Sequence, residues 1–431
     1  MELLRRISVG LTVAAVTTVI ALPAAGGKSI DLAVSGRASA NPSIAANGTF
    51  LVVAWGAATR DGTTDVFVAA SRDGGRTFRA PVRVNDVPGD ARLSGEQPPH
   101  VSLVARVGLA PAVVVVWTSK GQGGTRLLHA RSDDGASSFS RATALPGGDA
   151  AGNRGWESTA TDRDGHVVAV WLDHREVVAA GKAGAPMHHE GQDHTGHAPM
   201  SDGAAKAQLS KLYFSRLDGT DDPRPLTGGV CYCCKTAVAA GRDGSLYAAW
   251  RHVYPGNIRD IAFTVSRDNG RTFAAPLRVS DDHWVLDGCP ENGPAMTVDG
   301  RDRVHIVWPT LVAGPTPGSE PTLALFYASG DGRQFTPRER IPTDGLPRHP
   351  QIAIDGRGSL VAAWDEQAHG ARRVVLGRAV ANGRAPIRFT RDVIADGSAV
   401  YPVLAAAADG VVLAWTAGPP DASVIRITRA P

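Results

Sequence analysis

Charge of a single sign is missing from this chain. Its 431 residues carry 45 Lys and Arg against 42 Asp and Glu, a formal net charge of +3, with no long run of either sign. Such a balance leaves no basic footprint for nucleic acid and names no partner by charge. Cysteine and methionine are scarce, at four residues each. Beyond the N-terminus there is no stretch of about 18 uninterrupted apolar residues, so no membrane span is expected in the mature chain. Core material is plentiful: 43% of the residues are hydrophobic, which argues against global disorder.

The N-terminus, MELLRRISVGLTVAAVTTVIALPAAGG, has two arginines, an apolar stretch from Ile7 to Leu22 and then small residues. That is the layout of a cleaved export signal. Residues 1–26 are assigned to it and residues 27–431 to one mature domain. No cysteine follows the apolar stretch, so a lipid anchor is not expected. The expected location is periplasmic or secreted, where disulfides are permitted.

Seven segments end in tryptophan after an apolar or alternating run: LVVAW (Trp55), VVVVW (Trp117), VVAVW (Trp171), LYAAW (Trp250), VHIVW (Trp308), LVAAW (Trp364) and VVLAW (Trp415). They are spaced by 62, 54, 79, 58, 56 and 51 residues. Most follow a turn such as DRDG or DGRG, and before it a short strand such as PQIAI. Four short strands recurring at this spacing are the mark of a β-propeller blade. The fold class is therefore all-β, a propeller of seven four-stranded blades, with six as the alternative. The last unit offers three strands, and the segment KSIDLAVSG near the mature N-terminus is expected to supply the fourth and close the ring.

Two turns, SRDGGRTF (Ser71, Asp73, Gly75, Phe78) and SRDNGRTF (Ser266, Asp268, Gly270, Phe273), match the pattern S-x-D-x-G-x-T-F, and SDDGASSF and SGDGRQF are imperfect copies. Asp accepts backbone hydrogen bonds, Gly supplies a positive φ, and the aromatic packs back onto the blade. These segments resemble the Asp-box (BNR) repeats of the sialidase-like propeller superfamily, over nearly the whole mature chain. The resemblance implies that the boxes face away from the active site, so Asp73 and Asp268 are given structural roles only.

Cys231 and Cys289 each lie 19 residues before a blade tryptophan, Trp250 and Trp308. They therefore occupy equivalent loops of blades four and five, just before the innermost strand, and Cys233 and Cys234 share the first of those loops. The 79-residue interval after Trp171 is accounted for by an insertion at about residues 176–210. Within it, MHHEGQDHTGHAPM places Met187, His188, His189, His194, His197 and Met200 in 14 residues that are too poor in apolar side chains to build a core. Thiolate and thioether select soft metals, imidazole also suits zinc or nickel, and the combination favours copper. The expected metal set is therefore Cys231, Cys233, Cys234 and Cys289 as a fixed site, with the His/Met segment as a capture loop.

Blander readings stand beside this one. The cysteines can be structural staples, a Cys231–Cys289 bridge being easy to imagine, and the His/Met segment can be a solvated linker. The family topology implies that segments following each tryptophan share the cysteine face, which gathers Asp173, His174, Arg251, His252, Tyr254, Glu366 and Tyr401 as a candidate binding face. A sialidase-like glycoside hydrolase needs three arginines, a Tyr–Glu pair and an acid/base Asp. Arg154, Arg251, Arg348, Tyr401 and Glu366 fall on suitable blades but form no recognisable motif. The family's Arg-Ile-Pro motif is absent from its usual place, and the one RIP, Arg340 to Pro342, belongs to an outer strand. A non-catalytic propeller binding a glycan or a periplasmic metal-handling protein is the third reading. No turnover is implied.

Overall fold

The computed structural model describes residues 29–430 except 149–150, 185–200, 220–221, 287, 315, 317, 381–386 and 409. It contains seven antiparallel sheets arranged in chain order, each of four strands, with one extra strand in the sixth. The innermost strands of successive blades touch, and that of the seventh touches that of the first, so the sheets form a closed propeller. The seven-blade expectation holds, and the six-blade alternative is set aside.

Every repeat tryptophan lies on the second strand of its blade. Six of them are fully buried and Trp415 is 3% exposed. Their strands are built from Val, Ala, Leu and Ile on both faces, because each blade is covered by a neighbour on either side. The cores accordingly span blade interfaces: Val66 and Val68 of the first blade share a cluster with Val115 and Trp117 of the second.

Ring closure takes the expected form. Strand Ile30–Leu32 pairs antiparallel with the C-terminal strand Val424–Ala430, Leu32 facing Ile425. Arg426 clamps Asp31 through two hydrogen bonds of 2.7 and 2.8 Å. Each end of the chain thus covers an edge the other would expose.

Four antiparallel strands put the turn after the third strand at the opposite end of a blade from the loop before the first. At Ser71–Phe78 the Asp73 carboxylate accepts from the Thr77 backbone (2.9 Å) and hydroxyl (2.6 Å), while the Gly75 amide donates to the Ser71 hydroxyl (2.8 Å). Asp268 and Gly270 repeat the pattern with Thr272 and Ser266. Gly75 and Gly270 both have φ of 82°, which the turn requires and other residues rarely adopt. The threonine hydroxyls, followed by other donors in the turn, hold both carboxyls well below their ordinary range, and neither faces the cysteines.

Candidate metal centre

The innermost strands of blades four and five are short where the cysteines lie: Ala237–Ala240 and Ala295–Val298 have four residues each. In blade four the preceding segment folds outward instead: the Cys231 amide donates to the Arg251 carbonyl (2.9 Å) and the Val253 amide to the Gly229 carbonyl (2.7 Å). Residues 231–234 then turn back, placing three sulfurs within 4.8 Å of one another. Cys231 and Cys234 are each 1% exposed and Cys233 is 6% exposed.

Two of the four cysteines are joined. Cys233 is bridged to Cys289, with Cα atoms 6.2 Å apart, tying the loop before the innermost strand of blade four to the corresponding loop of blade five. The partner of Cys289 is thus Cys233 rather than Cys231, and the four cysteines do not form a single thiolate set in this state. Cys231 and Cys234 remain as thiols with sulfurs 3.6 Å apart, and the Cys231 sulfur is 3.8 Å from that of Cys233.

Two guanidinium groups lie under this pair. Arg259 is fully buried; it donates to the Cys231 sulfur (3.1 Å), the Leu286 carbonyl (2.8 Å) and the Asn257 side chain (3.2 Å). Arg251 is 1% exposed, stacks over Trp284 at 4.6 Å, and donates to the carbonyls of Asn292, Arg259 and Pro309. Neither makes an ion pair with a carboxylate among the described residues. A buried cation demands a counter-charge, and here sulfur answers it. The Cys234 thiol donating to Cys231, aided by Arg259 and Arg251, lowers the Cys231 pKa to about 6. Burial, and then the charge on Cys231, push Cys234 well above the ordinary thiol value. The two shifts run in opposite directions, favouring the thiolate on Cys231 and the thiol on Cys234.

A cap closes over the sulfurs. The insertion begins with helix α1 (Arg175–Gly184) and ends with helix α2 (Ser201–Leu209). Ala207 of α2 is fully buried in one cluster with Cys231, Cys233, Cys234 and Val253, flanked by Trp156 and Tyr232. His174 packs edge-on against Trp156 (5.4 Å) and Tyr232 (6.4 Å). Its Nδ1 meets the Ser210 hydroxyl at 2.9 Å, and burial lowers its pKa to about 4. Met187, His188, His189, His194, His197 and Met200 lie outside the described residues. The helix that follows them nevertheless rests directly on the cysteine cluster.

The remaining face residues divide into two groups. Asp173 is 1% exposed and held by Arg154 (3.0 Å), Arg175 (2.6 Å) and the Trp171 indole (3.1 Å). Glu366 is fully buried against Arg391 and the Trp364 indole. With Arg251, these residues lie beneath the face, so Arg154, Arg251 and Glu366 do not present themselves to a substrate. His252 and Tyr254 are half-buried, their rings 4.5 Å apart, with Arg278 over Tyr254 at 3.9 Å. Tyr401 is half-buried at the channel mouth, its ring 4.4 Å from that of His349, which bonds Asp365 at 2.6 Å.

Sequence reasoning missed Arg259, Trp156 and Trp284. A signal for the tryptophans existed: the chain has nine, of which seven mark blades, and the two left over both lie at this cluster.

No protein-family model and no curated protein matches the chain. Solved structures do. An ulvan lyase described as a new polysaccharide lyase family aligns over 92% of this chain and 94% of its own, with 10% identity and a TM-score of 0.54. An α-L-arabinofuranosidase from Fusarium graminearum, solved with arabinobiose, aligns over 94% and 97% with 11% identity and a TM-score of 0.52. A puromycin-hydrolysing peptidase from Mycobacterium tuberculosis aligns over 94% of this chain but 54% of its own, with 16% identity and a TM-score of 0.51. At such identities the likeness is one of fold alone.

Proposed function

We propose that this chain is an exported propeller that binds one soft monovalent metal ion, Cu(I), between Cys231 and Cys234. The observation that carries the reading is the buried Arg259 guanidinium, which donates to the Cys231 sulfur and makes no ion pair with a carboxylate among the described residues, with the buried Arg251 beside it bonded to backbone carbonyls. Two thiolates around a single positive ion leave one net negative charge, which the Arg259 guanidinium, 3.1 Å from Cys231, balances. A metal binding here displaces the Cys234 thiol proton. Zinc demands four tetrahedral ligands, whereas the bridge leaves two thiols; a two-sulfur site suits Cu(I). Met187, His188, His189, His194, His197 and Met200 would gather metal outside and deliver it beneath helix α2. A periplasmic metal-handling protein is the natural partner for such a device. The test is anaerobic titration with Cu(I) against a chromogenic chelator, followed by X-ray absorption. One tightly held ion with two sulfur neighbours supports the reading, and an ion held equally well by Cys231→Ser overturns it.

A glycan-binding reading has its own support. Trp156, His349 and Tyr401 occupy equivalent positions on three innermost strands, at bulges with φ of 54°, 47° and 55°. Two of the similar propellers are named for action on polysaccharide or arabinoside. Calorimetry with sialosides, arabinobiose and uronate oligosaccharides tests it: binding lost in Tyr401→Ala supports it, and no heat with any of them removes it.

A further inference from the structure

The bridge joins a buried sulfur to an exposed one. Cys233 sits inside the cluster at 6% exposure, whereas Cys289 is exposed on the loop that leads to strand Ala295–Val298. The three sulfurs of Cys231, Cys233 and Cys234 already lie within reach of a common ion. Ala207, Tyr232 and Trp156 shield Cys233 from solvent and leave Cys289 as the atom an incoming reagent meets.

We propose that the Cys233–Cys289 bridge is a thiol-exchange port whose opening adds a third sulfur to the site. An external thiolate, from a low-molecular-weight thiol or a reducing protein's cysteine, attacks the Cys289 sulfur. A new sulfur–sulfur bond forms to the reagent, and the bond to Cys233 breaks with its electron pair leaving on Cys233. A second external thiolate attacks the reagent's own sulfur in this mixed disulfide; the bond to Cys289 breaks with its electron pair leaving on Cys289, and the reagent departs as its disulfide. Two electrons thus pass from two external thiols to the bridge. Attack on the more accessible sulfur directs the exchange. The released Cys233 sulfur stays 3.8 Å from Cys231, inside the group of three sulfurs that lie within 4.8 Å of one another. In the oxidised state the centre offers two sulfurs, and in the reduced state three, so its hold on a soft ion follows the surrounding thiol poise. This consequence rests on the metal reading; the exchange itself does not.

The experiment separates the two. Folded, metal-free protein is incubated with reduced and oxidised glutathione, acid-quenched, alkylated after unfolding and mapped by mass spectrometry. The expected result is glutathione on Cys289 alone, with Cys233 newly alkylated beside Cys231 and Cys234. Glutathione on Cys231, Cys233 or Cys234, or a bridge untouched while the protein stays folded, overturns the port. Cys289→Ser, checked for fold by circular dichroism beside Cys233→Ser/Cys289→Ser, is then loaded with Cu(I). A rise from two sulfur neighbours to three confirms the gate. An unchanged count of two overturns the gate with the exchange intact, and no Cu(I) bound by any form removes the metal reading while leaving the exchange standing.

Discussion

Arg259 is the side chain on which the sulfur chemistry turns. The Cys234 thiol donating to Cys231, and after it this guanidinium 3.1 Å away, favour the Cys231 thiolate and lower its pKa to about 6. Arg259→Met is expected to move that pKa upward, read as the thiolate's ultraviolet absorbance against pH; an unmoved midpoint would place the cause elsewhere. Glu157 behaves in the opposite sense. It is fully buried, bonded to the Thr118 hydroxyl at 3.1 Å, and burial raises its pKa from 4.5 to about 7. Its contribution to stability is complete below pH 4.5 and lost as pH rises through about 7, because the unfolded chain then releases its proton more readily. Glu157→Gln is expected to remove that slope and to gain up to about 3 kcal/mol at pH 8 over the parent, measured by urea unfolding across the pH range. Little of this was legible in the sequence. Arg251 follows a blade tryptophan, which suggested an exposed position, but its side chain turns inward to carbonyls of the neighbouring blade. Arg259 stands in no motif at all. Cys231 and Cys233 are two residues apart, and spacing alone could not decide which one faces Cys289.

Elements were far more legible, because strand and turn patterns are local while pairing between loops is not. The seven tryptophan runs located the second strand of every blade, and the missing fourth strand of the last blade pointed to the N-terminus. Strand Ile30–Leu32 carries that closure on three residues. Removing residues 29–34 is expected to expose the edge of Val424–Ala430 and lower the unfolding midpoint, with association detectable by light scattering; an unchanged midpoint would mean that the ring closes without it. Helix α2 is the element that sequence reasoning passed over, since Ser201–Leu209 reads as part of a loop poor in large apolar residues. Its one consequential contact is a small side chain, Ala207, against the sulfurs. Ala207→Glu is expected to lift the helix and speed alkylation of Cys231 and Cys234 without unfolding the blades; unchanged alkylation rates would show that the helix is not the barrier.

At the scale of the whole molecule, the ring is held by its blade interfaces and by one polar knot at the channel mouth. The Glu96 carboxylate accepts from the backbone amides of Lys235 (2.9 Å) and Gly293 (3.0 Å), and the Lys235 ammonium donates to the Pro350 carbonyl (2.9 Å). Four blades are thereby joined beside the cysteine cluster, which gives the centre a rigid floor under a helical cap. Each blade tryptophan adds to that rigidity, and Trp250→Ala, beneath the cluster, is expected to cost about 3–5 kcal/mol in denaturant unfolding. The most direct test of the central claim is the copper content of protein purified from copper-supplemented cells, wild type beside Cys231→Ser/Cys234→Ser. The account predicts one copper per chain in the wild type and none above background in the variant, with the fold unchanged. Equal copper in both, or none in either, would contradict it.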